Sequence, residues 1–193
     1  MKKILILCAA LPLIAGLWAM PAAAKKTDNA RLFFDELKKH CGNAYEGAET
    51  AGGGAFGGEK LVMHVRSCKK NEIKIPFFVG ENKSRTWILT LKGGKILLKH
   101  DHRHQDGTPE EGNTMYGGPA VTQGSKELQI FPADQQTLDM LPATIGNVWW
   151  IELSETSFTY NLRRVTTDRH VAAKFDFSKK LQQTPSAPWG WKD

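Results

Sequence analysis

The sequence predicts a mainly β protein, an up-and-down antiparallel barrel of about eight strands with one short N-terminal helix. Three observations carry this expectation. Beyond residue 60 the apolar residues fall into short runs, many alternating at a period of two, which puts every second side chain on one face of a strand. Turn residues close each run, and the joints at 69–71, 80–83 and 92–94 are short enough to make successive strands antiparallel neighbours. No run of helical period stands between the strands, so the crossovers of a parallel sheet are missing. A two-sheet β-sandwich fits the same pattern and is the alternative.

At the start of the chain, Lys2 and Lys3 precede an apolar stretch from Ile4 to Met20, and Pro21-Ala22-Ala23-Ala24 offers small side chains where a signal peptidase reads them. Residues 1–24 therefore read as a cleaved export signal, cut after Ala24. The stretch is short for a membrane anchor, and no later segment is long and apolar enough to span a bilayer. Processing is thus expected to leave no transmembrane anchor and to release the chain into a periplasm or the medium. Cys8 follows bulky Ile6 and Leu7, not the small residues that lipid attachment needs.

A single domain is expected over 25–181. Apolar Leu32, Phe33 and Leu37, widened by Phe34, space one amphipathic helix over 29–40, with Asn29 as its cap and Lys38, Lys39 and His40 toward its C-terminal end. Residues 42–58 read as a glycine-rich loop. Strands follow near 60–68, 72–79, 84–91, 95–104, 126–131, 148–153, 158–165 and 170–177. Between them, 105–125 forms the longest loop, rich in Gly, Pro, Asn and Thr, and 132–146 has room for a helical turn. The segment 182–193 reads as an extended tail whose Trp189 and Trp191 dock on the domain.

Composition narrows the partners. The chain carries 26 basic and 20 acidic residues, a net charge of +6; the two lysines of residues 1–24 leave with the signal, and +4 remains. These lysines are spread over turns and strand faces without interleaved aromatics, which argues against nucleic acid as a partner. Beyond the signal only Cys41 and Cys68 remain, and an even pair in an exported chain reads as one disulfide. A redox or metal thiol would call for a Cys-x-x-Cys pair or a histidine cluster, whereas only His40 adjoins Cys41.

The run His100-Asp101-His102-Arg103-His104 holds three of the six histidines. On a strand, alternation sets all three on the face that begins with Ile96 and Leu98. Three readings are open: a polar mouth on an apolar cavity, a fragment of a metal site, or exposed side chains beside the long loop. As a metal site, His100 and His102 would bind one zinc-like divalent ion, with a further ligand from His64, His170, Asp101, Asp106, Glu110 or Glu111. Among the strand arginines Arg66, Arg85, Arg163 and Arg164, alternation groups Arg164 with Phe158, Tyr160 and Leu162, an aromatic face ending in a cation. The candidate ligand-binding set is therefore His64, His100, His102, His104, Tyr160 and Arg164. No Gly-x-Ser-x-Gly elbow and no phosphate-cradling Gly-Lys-Ser/Thr loop occurs.

Cys41-Gly42-Asn43-Ala44-Tyr45-Glu46-Gly47, Ser84-Arg85-Thr86-Trp87, the run from Lys99 to Gly107, Tyr116-Gly117-Gly118 and Phe131-Pro132-Ala133-Asp134 together resemble an uncharacterised family of small secreted bacterial proteins. The resemblance spans nearly the whole processed chain and implies export without implying an activity. By architecture alone the chain is similar to lipocalin-like calycin barrels, although it lacks their Gly-x-Trp signature on the first strand. The expected function is a periplasmic binding module holding a small, partly apolar or acidic ligand in a barrel cavity. A metal-dependent hydrolytic enzyme using His100 and His102, and an envelope interaction protein using the long loop, are the alternatives.

Overall fold

Alternating runs joined by tight turns build one continuous antiparallel sheet. The computed structural model describes residues 28–192; the expected signal and its cleavage site lie outside the described residues. In chain order the elements are α1 (Asn29–Lys38), β1 (Ala44–Ala51), β2 (Leu61–His64), β3 (Ser67–Cys68), β4 (Glu72–Val79), β5 (Asn82–Lys92), β6 (Lys95–His102), β7 (Tyr116–Pro119), β8 (Leu128–Pro132), α2 (Gln135–Met140), a 3-10 turn (Pro142–Thr144), β9 (Asn147–Leu153), β10 (Ser157–Arg164) and β11 (His170–Lys180). The sheet runs β7-β6-β5-β4-β2-β1-β11-β10-β9-β8, with β3 beside β4.

The two ends of that path meet. Asp134 N–H donates to the Gly117 carbonyl at 2.9 Å, and Val121 N–H donates to the Ile130 carbonyl at 3.1 Å. Thr137 Oγ1 accepts from Gly117 N–H at 2.7 Å and donates to the Gly117 carbonyl at 2.8 Å. The result is a nearly closed barrel and not a two-sheet sandwich. Closure removes the exposed edges that an open sheet would offer.

Among the described residues eleven strands replace the expected eight. The run at 60–68 divides into β2 and β3, while β1 and β7 occupy segments that read as loops. Both carry glycine where neighbouring backbone or a ring occupies the space of a side chain. A Cβ on Gly47 of β1 would sit 2.5 Å from the Phe175 ring and 2.6 Å from the Lys174 carbonyl oxygen. On Gly118 of β7 it would sit 2.0 Å from the Pro132 carbonyl oxygen.

α1 packs against β5 and β6 and buries Ala30, Phe33, Phe34 and Leu37, the i, i+3, i+4, i+7 stripe of one helical face. Burying each of the three large side chains contributes about 1.5–3 kcal/mol. Leu32, expected on this stripe, is 46% exposed. The cap is Asp28, whose carboxylate accepts from Arg31 N–H at 2.9 Å; Asn29 instead donates its side-chain amide to the Gly124 carbonyl at 3.0 Å. Cys41 and Cys68 form the disulfide, 27 residues apart, which contributes about 3.5 kcal/mol on the chain-entropy account. The tail lies across the outside of the barrel: Trp189 N–H donates to the Lys83 carbonyl at 3.1 Å, and the Lys74 ammonium lies 5.5 Å from the Trp191 ring.

Candidate functional site

The pleat splits the histidine run between two sides of the barrel wall. Asp101 and Arg103 are paired away from the interior: Arg103 Nε donates to Asp101 Oδ2 at 2.9 Å, and Nη1 donates to the Gly107 carbonyl at 3.0 Å. His100 and His102 turn inward, continuing the face of Ile96 and Leu98. β6 ends at His102, so His104 departs from the expected alternation. It lies exposed in a turn closed by its own N–H donating to the Thr108 carbonyl at 2.9 Å.

His100 is 3% exposed and its hydrogen bonds define its tautomer. The Tyr116 carbonyl, 3.1 Å from Nδ1, can only accept, so Nδ1 carries the proton. Nε2 then accepts from the Tyr160 hydroxyl at 2.8 Å. Burial pushes the His100 pKa down to about 3, against a smaller opposing effect of the Tyr116 backbone bond, so the ring is neutral at physiological pH. Burial also raises both tyrosines, Tyr116 to about 12 and Tyr160 well above its ordinary value. His102 is lowered first by burial and then by the Arg85 charge, with Glu110 acting in the opposite direction. Its Nε2 lies 3.1 Å from the Tyr116 hydroxyl, and its Nδ1 lies 3.6 Å from Glu110 Oε2.

Above these groups lies a cavity of about 240 Å³ inside one end of the barrel. Arg85, His102 and Tyr116 form a polar side of its lining, while Leu162 and Val171 supply aliphatic surface from β10 and β11. In the strand order β5 and β10 lie five places apart along a ten-strand path, hence on facing walls. Phe56 reaches the cavity from the glycine-rich loop, which Glu49 anchors by accepting the backbone N–H of Gly54, Ala55 and Phe56 at 2.8–3.0 Å. The exposed Arg169 completes the lining.

Arg85 is the distinctive group. It follows the inward side of β5 with Trp87 and Leu89, and its Nη1 is buried with no hydrogen-bond partner. No ion pair joins it to a carboxylate among the described residues. The sequence marks it only as one strand arginine among four, although its continuation of the Trp87, Leu89 and Leu91 face is a legible signal. Tyr116 was hidden in the segment read as a long loop.

The remaining candidates lie elsewhere. Arg164 donates Nε to Asn147 Oδ1 at 2.9 Å and is not part of the cavity lining, whereas Tyr160 is. His64 is buried and alternates with Val62, which packs with Ala44 and Phe78 in a separate small cluster. Both ring nitrogens of His100 are engaged, so a metal ion there would have to displace one of two hydrogen bonds. Among the described residues no group of three or more His, Cys, Asp or Glu is placed to hold a metal ion.

A larger groove of about 820 Å³ crosses the outside of β8 to β11 beside Ile130 and Trp150. Its charged members, Glu127, Glu152 and Lys174, are exposed, so it lacks a charged group with a buried, unpartnered donor such as Arg85 Nη1. Fold and site together define a nearly closed antiparallel β-barrel with an aromatic, cationic cavity at one end. The chain matches no family model, no curated protein and no solved structure.

Proposed function

We propose that this protein is an exported binding module that holds one small, partly apolar organic anion in its barrel cavity. The observation that carries this reading is the Arg85 guanidinium, set in a cavity wall with a buried, unpartnered Nη1. Arg85 is half-buried, and a guanidinium N–H turned away from water without a partner costs about 1–3 kcal/mol, a cost that a carboxylate in the cavity would offset through a charge-assisted hydrogen bond. The apolar surface of Leu162, Val171 and Phe56 suits the rest of such a ligand.

The cavity of about 240 Å³ equals the share of about eight liquid waters, a size suited to hexanoate or benzoate. Export to a bacterial periplasm or the medium rests on the pattern of residues 1–24, and the disulfide suits an oxidising compartment. The likeness to lipocalin-like ligand carriers is one of architecture. Thermal unfolding with millimolar hexanoate or benzoate, beside hexanol and benzyl alcohol, tests the reading. The acids should raise the Tm of the wild type and not that of Arg85→Met. A wild type that neither acid stabilises, or an Arg85→Met variant stabilised equally, would overturn it.

A further inference from the structure

We infer that the cavity selects a planar aromatic monocarboxylate, with the carboxylate on Arg85 and the ring against the aromatic lining. This rests on the anion-binding reading above and adds the chemical class of the ligand. Its first support is the composition of the apolar lining. Phe56, Phe77, Trp87, Tyr116 and Tyr160 all contribute rings, against the aliphatic side chains of Ala55, Leu162 and Val171. These rings already stand in ordered stacks. Trp87 lies between Phe77 at 4.7 Å and Tyr160 at 4.5 Å, with interplanar angles of 14° and 21°. Tyr116 lies on His100 at 4.5 Å and 9°, and Phe56 meets Phe77 edge-on at 5.3 Å. Flat, quadrupolar surfaces of this kind favour another flat ring over a puckered saturated ring of the same size.

The charges supply the second support. The half-buried guanidinium of Arg85 has an open donor in the wall, while the Glu110 carboxylate, itself outside the lining, lies 3.6 Å from His102. A second carboxylate on the far side of the ring from Arg85 would be set against the aromatic lining, so along that axis the site suits a single negative charge. The deep end supplies no competing donor: His100 Nδ1–H goes to the Tyr116 carbonyl, and the Tyr160 hydroxyl donates to His100 Nε2. The apolar end of the ligand therefore belongs there, opposite in character to Arg85. At the cavity's edge the exposed Arg169 adds a positive field that would speed the entry of an anion.

Isothermal titration at pH 7.5 with sodium benzoate, cyclohexanecarboxylate, hexanoate, terephthalate and inorganic phosphate tests the assignment, with near-UV circular dichroism verifying each variant's fold. Benzoate and cyclohexanecarboxylate carry the same charge and the same heavy-atom skeleton, so their ratio isolates the aromatic contribution. The expected result is benzoate about ten-fold tighter than cyclohexanecarboxylate, with terephthalate and phosphate weaker still. Phe56→Leu, which replaces one ring of the lining by an aliphatic side chain, should move the benzoate-to-cyclohexanecarboxylate ratio toward one. Equal affinity for the two ring acids in the wild type would overturn the aromatic assignment and leave the anion-binding reading standing. Failure of every carboxylate, or phosphate binding tighter than benzoate, would overturn both.

Discussion

Lowering the pH from 7.5 to 5 should destabilise this protein through His100, and the size of the effect follows from its burial. In the folded state the pKa is about 3, whereas an unfolded histidine titrates near 6.5. Between these values the unfolded chain binds a proton that the folded chain does not, so unfolding becomes easier as pH falls. Above the unfolded value both states are neutral and His100 contributes no pH dependence. At pH 5 the unfolded state gains about 2 kcal/mol from this one group, equivalent to roughly 4–8 °C in Tm for a domain of this length. His40, His64 and His102 are also lowered, chiefly by burial, and act in the same direction, so a control must isolate His100. His100→Asn keeps a donor for the Tyr116 carbonyl but removes the titrating ring. It should be less stable at pH 7.5, by about 1–3 kcal/mol, because the Tyr160 hydroxyl loses its acceptor. Urea unfolding followed by tryptophan fluorescence at the two pH values gives the comparison. The wild type should lose about 2 kcal/mol more than His100→Asn between pH 7.5 and 5. Equal losses would refute the reasoning, as would a His100 ring proton resonance that titrates near pH 6.

Replacing both Cys41 and Cys68 by serine should lower stability by about 3–4 kcal/mol; a urea midpoint unchanged from the oxidised wild type would contradict the loop-closure argument. Gly117→Ala should disrupt the pairing of β7 with β6, because its Cβ would lie 2.1 Å from the Leu98 carbonyl oxygen at a backbone φ of +145°. Loss of the cooperative thermal transition or of near-UV signal is expected, and a variant within 1 °C of the wild type would refute that close approach. Lys99→Met removes the cation that meets Asp134 at 2.8 Å with only 9% of its own side chain exposed. Since Asp134 remains partly in solvent, the expected cost is about 1–3 kcal/mol, read by denaturant midpoint and protection of the α2 amides from exchange. A neutral effect would show that the pair does not hold α2 to the barrel.

Much of the barrel was legible because side-chain alternation is a local property. The runs that became β4, β5, β6, β9, β10 and β11 carry apolar residues at a period of two, and hairpin joints order them. The segments that join or close the circuit carry no such signal. Gly47 and Gly118 lie where rings or backbone fill the space of a side chain, so β1 and β7 carry glycine there and resemble loops. The same contrast governs the site. Alternation correctly set His100 and His102 on the face of Ile96 and Leu98, yet it extended that face to His104, because nothing local shows that pairing ends at His102.

Arg164 and Arg85 show where local reading stops. Each ends an apolar face of a strand, and alternation in the sequence singles out Arg164, beside Phe158, Tyr160 and Leu162. Asn147, seventeen residues from Arg164, takes up one guanidinium, whereas the other sits in the cavity wall without a hydrogen-bond partner for Nη1. The sequence by itself determined the antiparallel hairpin order, the pairing of Cys41 with Cys68 and the sidedness of His100 and His102, since these depend on neighbouring residues or on the chain carrying only Cys8 besides that pair. Closure of the barrel, the engagement of both His100 nitrogens and the choice of Arg85 as the unpaired cation were decided by the tertiary structure. Each is a relation between groups far apart in the chain, and no local period encodes which distant atoms fill a wall's remaining space.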